Sequence, residues 1–143
     1  MFQNIVVGAD DSATARQAVT VAADLARLTG GTLHIVTAYD PKSVRASDLP
    51  AEFRYTANVN PADALLRQSS LIASERGLAS VVHPGVGSPA DVVIRVAEQE
   101  GADLIVVGNK GMSGVKRVLG SVPNSIAHGA HCSVLIVDTH SGV

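Results

Sequence analysis

The sequence predicts an α/β fold: an open, mostly parallel five-stranded sheet with helices on both faces, Rossmann-like, in a single domain spanning residues 1–143. Three observations carry this. Short apolar runs recur at Asn4–Gly8, Leu33–Ala38, Leu78–His83, Leu104–Val107 and Ser133–Val137, and they read as buried strands. Stretches with apolar residues at helical spacing lie between them. Strand and helix alternate along the chain, the order that right-handed crossovers between parallel strands need.

Taken in order, Asn4–Gly8 (NIVVG) ends at a glycine and is followed by Ala9, Asp10, Asp11 and Ser12. Asp11 or Ser12 can cap the next helix. Ala13–Leu28 places Ala15, Ala18, Val19, Ala22, Ala23, Leu25, Ala26 and Leu28 at helical spacing, and Gly30–Gly31 stops it. After Leu33–Ala38, the stretch from Asp40 to Asn60, with Pro41 and Pro50 and then Pro61 beyond it, reads as a surface excursion. Ala62–Arg76 is the second helix, with Ala64, Leu65, Leu71 and Ile72 as its inner face and Gly77 as its stop. Ser88 caps a third helix over Ser88–Gln99, with Pro89 where a missing N–H does no harm. A fourth helix over roughly Val122–His128 precedes the last strand.

Composition narrows the function. The chain is 46% hydrophobic and 17% charged with a formal charge of −2, and its basic residues are dispersed, so no polyanion-binding surface and no nucleic-acid partner are expected. With two Phe, two Tyr and no Trp there is no base-stacking platform. No apolar run approaches the roughly 18 residues of a membrane span, and Met1 leads straight into a strand-like run. A cytoplasmic location without membrane contact is the expectation, and the single cysteine, Cys132, suits a reducing compartment. His128 and His131 beside Cys132 invite a metal reading, but a small residue entering a buried strand accounts for Cys132 as well.

The most informative stretch lies between the last two strands. Gly108, two residues, Gly111, eight residues, then Gly120 and Ser121 make a glycine-rich turn at a helix start, with Lys110, Lys116 and Arg117 nearby. Glycine lets backbone approach a ligand closely, and a helix N-terminus offers unpaired N–H groups and a positive dipole end to an anion. Glycines between a strand and a helix read equally as a plain turn, and Lys110 reads equally as a solvated loop residue or a phosphate ligand. Asp10 and Gly108 sit at carboxyl ends of strands, where ligands bind in sheets of this kind.

These spacings resemble the nucleotide signature of the ATP-binding branch of the universal stress protein family, in which the second gap is nine residues. IVVGADDSATARQAV, GSPADVVIRVAEQEGADLIVVGNKG and LGSVPNSIAHGAHCSVLIV are similar to further stretches of that family, so the resemblance runs from about Met1 to Asp138. It implies strand order 3-2-1-4-5, homodimers through the last strand, and ATP binding without strong hydrolysis in bacterial stress or dormancy responses. Carried over residue by residue, Asp10 would contact the nucleoside, with Ala9 backbone beside it, and Ala38 would line the adenine pocket. Gly108, Gly111, Gly120, Ser121 and Val122 would hold ribose and phosphates, with Mg²⁺ carried on the phosphates. Asp10 can also be a plain capping or turn carboxylate.

Competing readings are weaker. The shortened gap supports a family-like dimer that is empty or prefers cyclic AMP. An adenylate-transferring enzyme would need further signature residues that this chain lacks. Gly85–Ala90 matches G-x-G-x-x-A but has no acidic residue after the next strand, where Gly108–Asn109 stands. No Walker A element or nucleophile elbow is present, and His34, His83 and His128 read as solvated or core-edge residues. Val134–Val137, wholly apolar and uncharged before Asp138, would leave an unpaired edge that self-pairing across a two-fold axis would satisfy; the competing reading places the strand inside the monomer's sheet or under a loop.

Overall fold

The computed structural model describes residues 1–10, 12–39, 61–109 and 121–138. Asp11, the excursion from Asp40 to Asn60, and Lys110, Gly111, Lys116, Arg117 and Gly120 lie outside the described residues. The elements are β1 (Asn4–Gly8), α1 (Ala13–Thr29), β2 (Thr32–Tyr39), α2 (Pro61–Glu75), β3 (Ser80–Val86), α3 (Pro89–Gln99), β4 (Leu104–Gly108), α4 (Ser121–Gly129) and β5 (Ser133–Val137). They form one five-stranded sheet of order β3-β2-β1-β4-β5, every neighbour pair parallel. That is the expected fold and the order the resemblance implies.

Alternation along the strands divides the core in two. Ile5, Val7, Leu33, Ile35, Leu104 and Val106 face α1 and α2, while Val6, Val36, Ile105 and Val107 face α3 and α4. Fully burying one such side chain contributes about 1.5–3 kcal/mol. α1 meets the sheet through small residues, Ala18, Ala22, Ala23 and Ala26, which let its backbone lie close. Ser12 starts α1: its Oγ accepts the Ala15 N–H at 3.1 Å. Ser88 occupies the N-cap of α3 but makes no side-chain cap bond there.

Four expectations need correcting. Leu28, placed with the apolar positions of α1, is 83% exposed. On α2 the buried face is Ala62, Leu66, Ser69 and Ala73, with Ile72 packed beside it as expected, while Leu71 is 55% exposed and Ala64 is exposed too. The helix carries two competing apolar stripes, and the packing of Ala62, Leu66 and Ala73 into the α1-side core decides between them. β3 starts later than Leu78 and runs beyond His83 through Pro84 and Gly85 to Val86. An outermost strand tolerates a proline because one side of its ladder needs no N–H. Nor are all five strands buried: β3 and β5 form the two edges, and Val81, Val82 and Val86 are 45%, 42% and 50% exposed. No helix among the described residues is long and apolar enough to cross a membrane.

Candidate functional site

The strand order reverses between β1 and β4, and a crevice opens beyond the carboxyl ends of strands at such a point. A cavity of about 400 Å³ lies there, lined from the ends of β1, β2 and β4 and from the starts of α1, α3 and α4. Six residues singled out from the sequence meet in its lining: Ala9, Asp10, Ala38, Gly108, Ser121 and Val122. They come from three strand ends and one helix start. Gly111 and Gly120 lie outside the described residues.

The turn after β1 is held by short polar bonds. Ala9 donates its N–H to the Val36 carbonyl at 2.8 Å, and its own carbonyl accepts from the buried Thr37 hydroxyl at 3.0 Å. Ala9 backbone is thereby tied to β2 in both directions. Asp10, exposed, accepts the Ser12 N–H on Oδ1 at 2.8 Å, so its carboxylate takes the turn role while lining the cavity. Ser12 Oγ lies 2.9 Å from Thr14 Oγ1, and both residues line the same wall.

Gly108 has a reason beyond ligand approach. A Cβ there would lie 3.0 Å from the Thr14 carbonyl oxygen, so the end of β4 passes against the first turn of α1 and only glycine fits without a shift. Gly85 is similar, since a Cβ would collide with Val92 of α3. Helix–strand packing thus accounts for Gly85, while Gly87 sits at φ +136°, a backbone conformation that favours glycine.

Sequence reasoning missed much of the lining. Val36, Val93, Val107 and Ile126 supply an apolar portion, unseen because each also reads as plain core. Ser12, Pro89 and Ser121 bring the starts of α1, α3 and α4 to the one cavity. Helix N-termini carry unpaired N–H groups and roughly half a positive charge each. A cavity of this size with an apolar portion and three such termini suits a flat apolar group joined to an anion.

Asn109 was also unforeseen. It is 2% exposed, and its Nδ2 donates to Asp138 Oδ1 at 3.0 Å. The bond sits one residue beyond the registered pair Gly108 and Val137, joining the ends of β4 and β5 where the chain leaves for the glycine segment. Among the described residues, no group of three or more His, Cys, Asp or Glu is placed to hold a metal ion. His131 turns to Glu98, Nε2 to Oε1 at 3.3 Å. Burial, helped by the Asp103 charge, raises the Cys132 thiol pKa, which disfavours the thiolate a metal would need.

Comparison with known proteins agrees with this architecture. The model of the universal stress protein family matches residues 1–138. Universal stress protein Rv1636 of Mycobacterium tuberculosis strain H37Rv is 36% identical over 143 residues, covering 96% of this chain and 97% of the relative. A universal stress protein solved in complex with cAMP superposes with a TM-score of 0.77 at 35% identity, covering 96% of this chain and 98% of the other. A universal stress protein from Archaeoglobus fulgidus shares the fold at a TM-score of 0.76 and 24% identity, over 95% and 98% of the two chains. The chain belongs to the universal stress protein family.

Proposed function

We propose that this protein is an adenine-nucleotide-binding regulator of a bacterial stress or dormancy response, cytoplasmic and at most a slow ATPase, whose bound nucleotide shifts its conformation or partners. One observation carries the reading: the six residues named above and three helix N-termini share a single cavity at the switch point of the sheet. In this reading Ala38 and the apolar portion receive the base and Asp10, beside Ala9, contacts the nucleoside. Gly108, Ser121 and Val122, with Gly111 and Gly120, hold ribose and phosphates. ATP is the expected occupant, with Mg²⁺ on its phosphates.

A second reading, cyclic AMP, has its own support. The gap between Gly111 and Gly120 is one residue shorter than the ATP signature, and a neighbour at 35% identity was solved with cAMP. Calorimetric titration of the purified chain with ATP·Mg²⁺ and with cyclic AMP decides between them. Affinity for neither nucleotide overturns the proposal. Asp10→Ala is expected to weaken the preferred nucleotide roughly 10- to 100-fold, the worth of a hydrogen bond to a charged group, and to leave inorganic triphosphate unchanged. Parallel weakening of both ligands would move Asp10 from the nucleoside to the phosphates.

The same proposal includes a homodimer through β5. Support comes from its place at the sheet edge, its uncharged sequence SVLIV and the 37% exposure of Leu135, since exposed apolar edges are normally blocked or paired. Leu135→Lys is expected to yield a folded monomer by light scattering, with Val137 left in place because it packs against the α1-side core. A folded dimer would put the interface elsewhere.

A further inference from the structure

Two imidazoles meet across the β2–β3 pair, and neither lines the cavity. His34 Nδ1 lies 3.0 Å from His83 Nε2, and His34 Nε2 lies 3.5 Å from Asn4 Oδ1. The ring centroids are 5.2 Å apart with planes inclined at 38°. His34 is only 5% exposed, while His83 is half-buried. Register pairs His34 with Val81 and Val36 with His83, so the period of two puts both rings on the α3 side of the sheet.

Proton counting shows what this contact tolerates. With both rings neutral, one facing nitrogen donates and the other accepts. With one ring protonated, its N–H still meets a lone pair on its neighbour, and a His34 imidazolium could also donate to Asn4 Oδ1. With both protonated, two N–H groups and two positive charges confront each other across 3.0 Å. The contact survives one added proton and fails with two.

We infer that His34 and His83 form a proton-operated latch on the outermost strand, closed near neutral pH and released in acid. β3 is an edge strand whose ladder is to β2 alone, and Val81, Val82 and Val86 are 45%, 42% and 50% exposed, so the imidazole contact adds to the side-chain contacts that hold it, among them the Arg95 bond to the Val86 carbonyl and the packing of Gly85 against Val92. Burial first, and the His83 charge second, hold His34 below its usual pKa of 6.5, with Glu100 at the end of α3 opposing. Of the charged groups on neighbouring elements, Arg95 turns to the Val86 carbonyl, Glu98 to His131 and Asp103 to the Gln3 and Asn4 amides. A folded-state pKa below the unfolded one means that the contribution is complete above about pH 6.5 and is lost as pH falls through the folded value.

The test is hydrogen exchange of the β3 amides in the full chain at about pH 7.5 and about pH 5, corrected for intrinsic rates, for the native protein and for His83→Gln. Glutamine can still bond to His34 Nδ1 but takes up no proton. The expected result is a loss of protection on Ser80–Val86 in acid, larger than on β1 or β4, in the native protein and not in the variant. Equal loss in both, or none in the native chain, overturns the latch. Nitrogen-15 spectra of the imidazoles supply a second measurement on the native protein that does not depend on the variant folding. Two coupled titration steps support the latch, whereas independent single-site curves for the two rings overturn it.

Discussion

Replacing Ala38 by phenylalanine is expected to abolish nucleotide binding while leaving the chain folded. Ala38 is the next-to-last residue of β2, pairs in register with Gly85, and packs against the α3-side core where the cavity opens. A phenylalanine brings on the order of 150–250 Å² of side-chain surface into a cavity of about 400 Å³, taking the place proposed for the base. Strand backbone accepts an aromatic residue readily, so circular dichroism should be unchanged. Calorimetry with ATP·Mg²⁺ and cyclic AMP should show affinity reduced by at least about 100-fold, close to 2.7 kcal/mol at that threshold. Unaltered affinity in a folded variant would remove the end of β2 from the site.

Ile126→Ala is expected to have the largest effect on stability. Ile126 is fully buried, sits in the α3-side core and lines the cavity. Pro123 and Ile126 are the buried residues of the nine-residue α4. Truncating a buried isoleucine costs about 2–5 kcal/mol, a large share of the 5–15 kcal/mol typical of a domain. Chemical denaturation should show the midpoint falling without a change in slope. Nucleotide affinity should fall as well, because the residue anchors the helix whose first residues, Ser121 and Val122, enter the cavity. Full stability would mean that α4 is held by contacts other than those of its inner face.

Both variants act on the same cavity. Part of its lining is the end of the hydrophobic core, so stability and ligand affinity are linked through Val36, Val93, Val107 and Ile126. A ligand that binds only the folded chain would raise the midpoint with the logarithm of its free concentration once that exceeds Kd. Measuring that rise for the native protein, Ala38→Phe and Ile126→Ala separates loss of affinity from loss of fold.

Local chemistry was legible in the sequence by itself. Apolar runs and helical spacing located nine elements, and a serine cap or a glycine stop acts within one turn of its own position, so Ser12, Gly30 and Gly77 could be read without neighbours. The candidate site was legible because Asp10, Ala38, Gly108 and Ser121 stand at strand ends or helix starts, and because their spacing resembled a known signature. Only the tertiary structure decided what depends on neighbours. It chose Leu66 and Ala73 over Leu71 on α2, carried β3 through Pro84 because that strand is outermost, and turned Gly108 toward Thr14. Two polar pairings unseen in the sequence, His34 with His83 and Asn109 with Asp138, join residues 49 and 29 positions apart. Their meeting is set by strand order and register, which arise from packing all the strands and helices together and have no counterpart in the periodicity of any one segment.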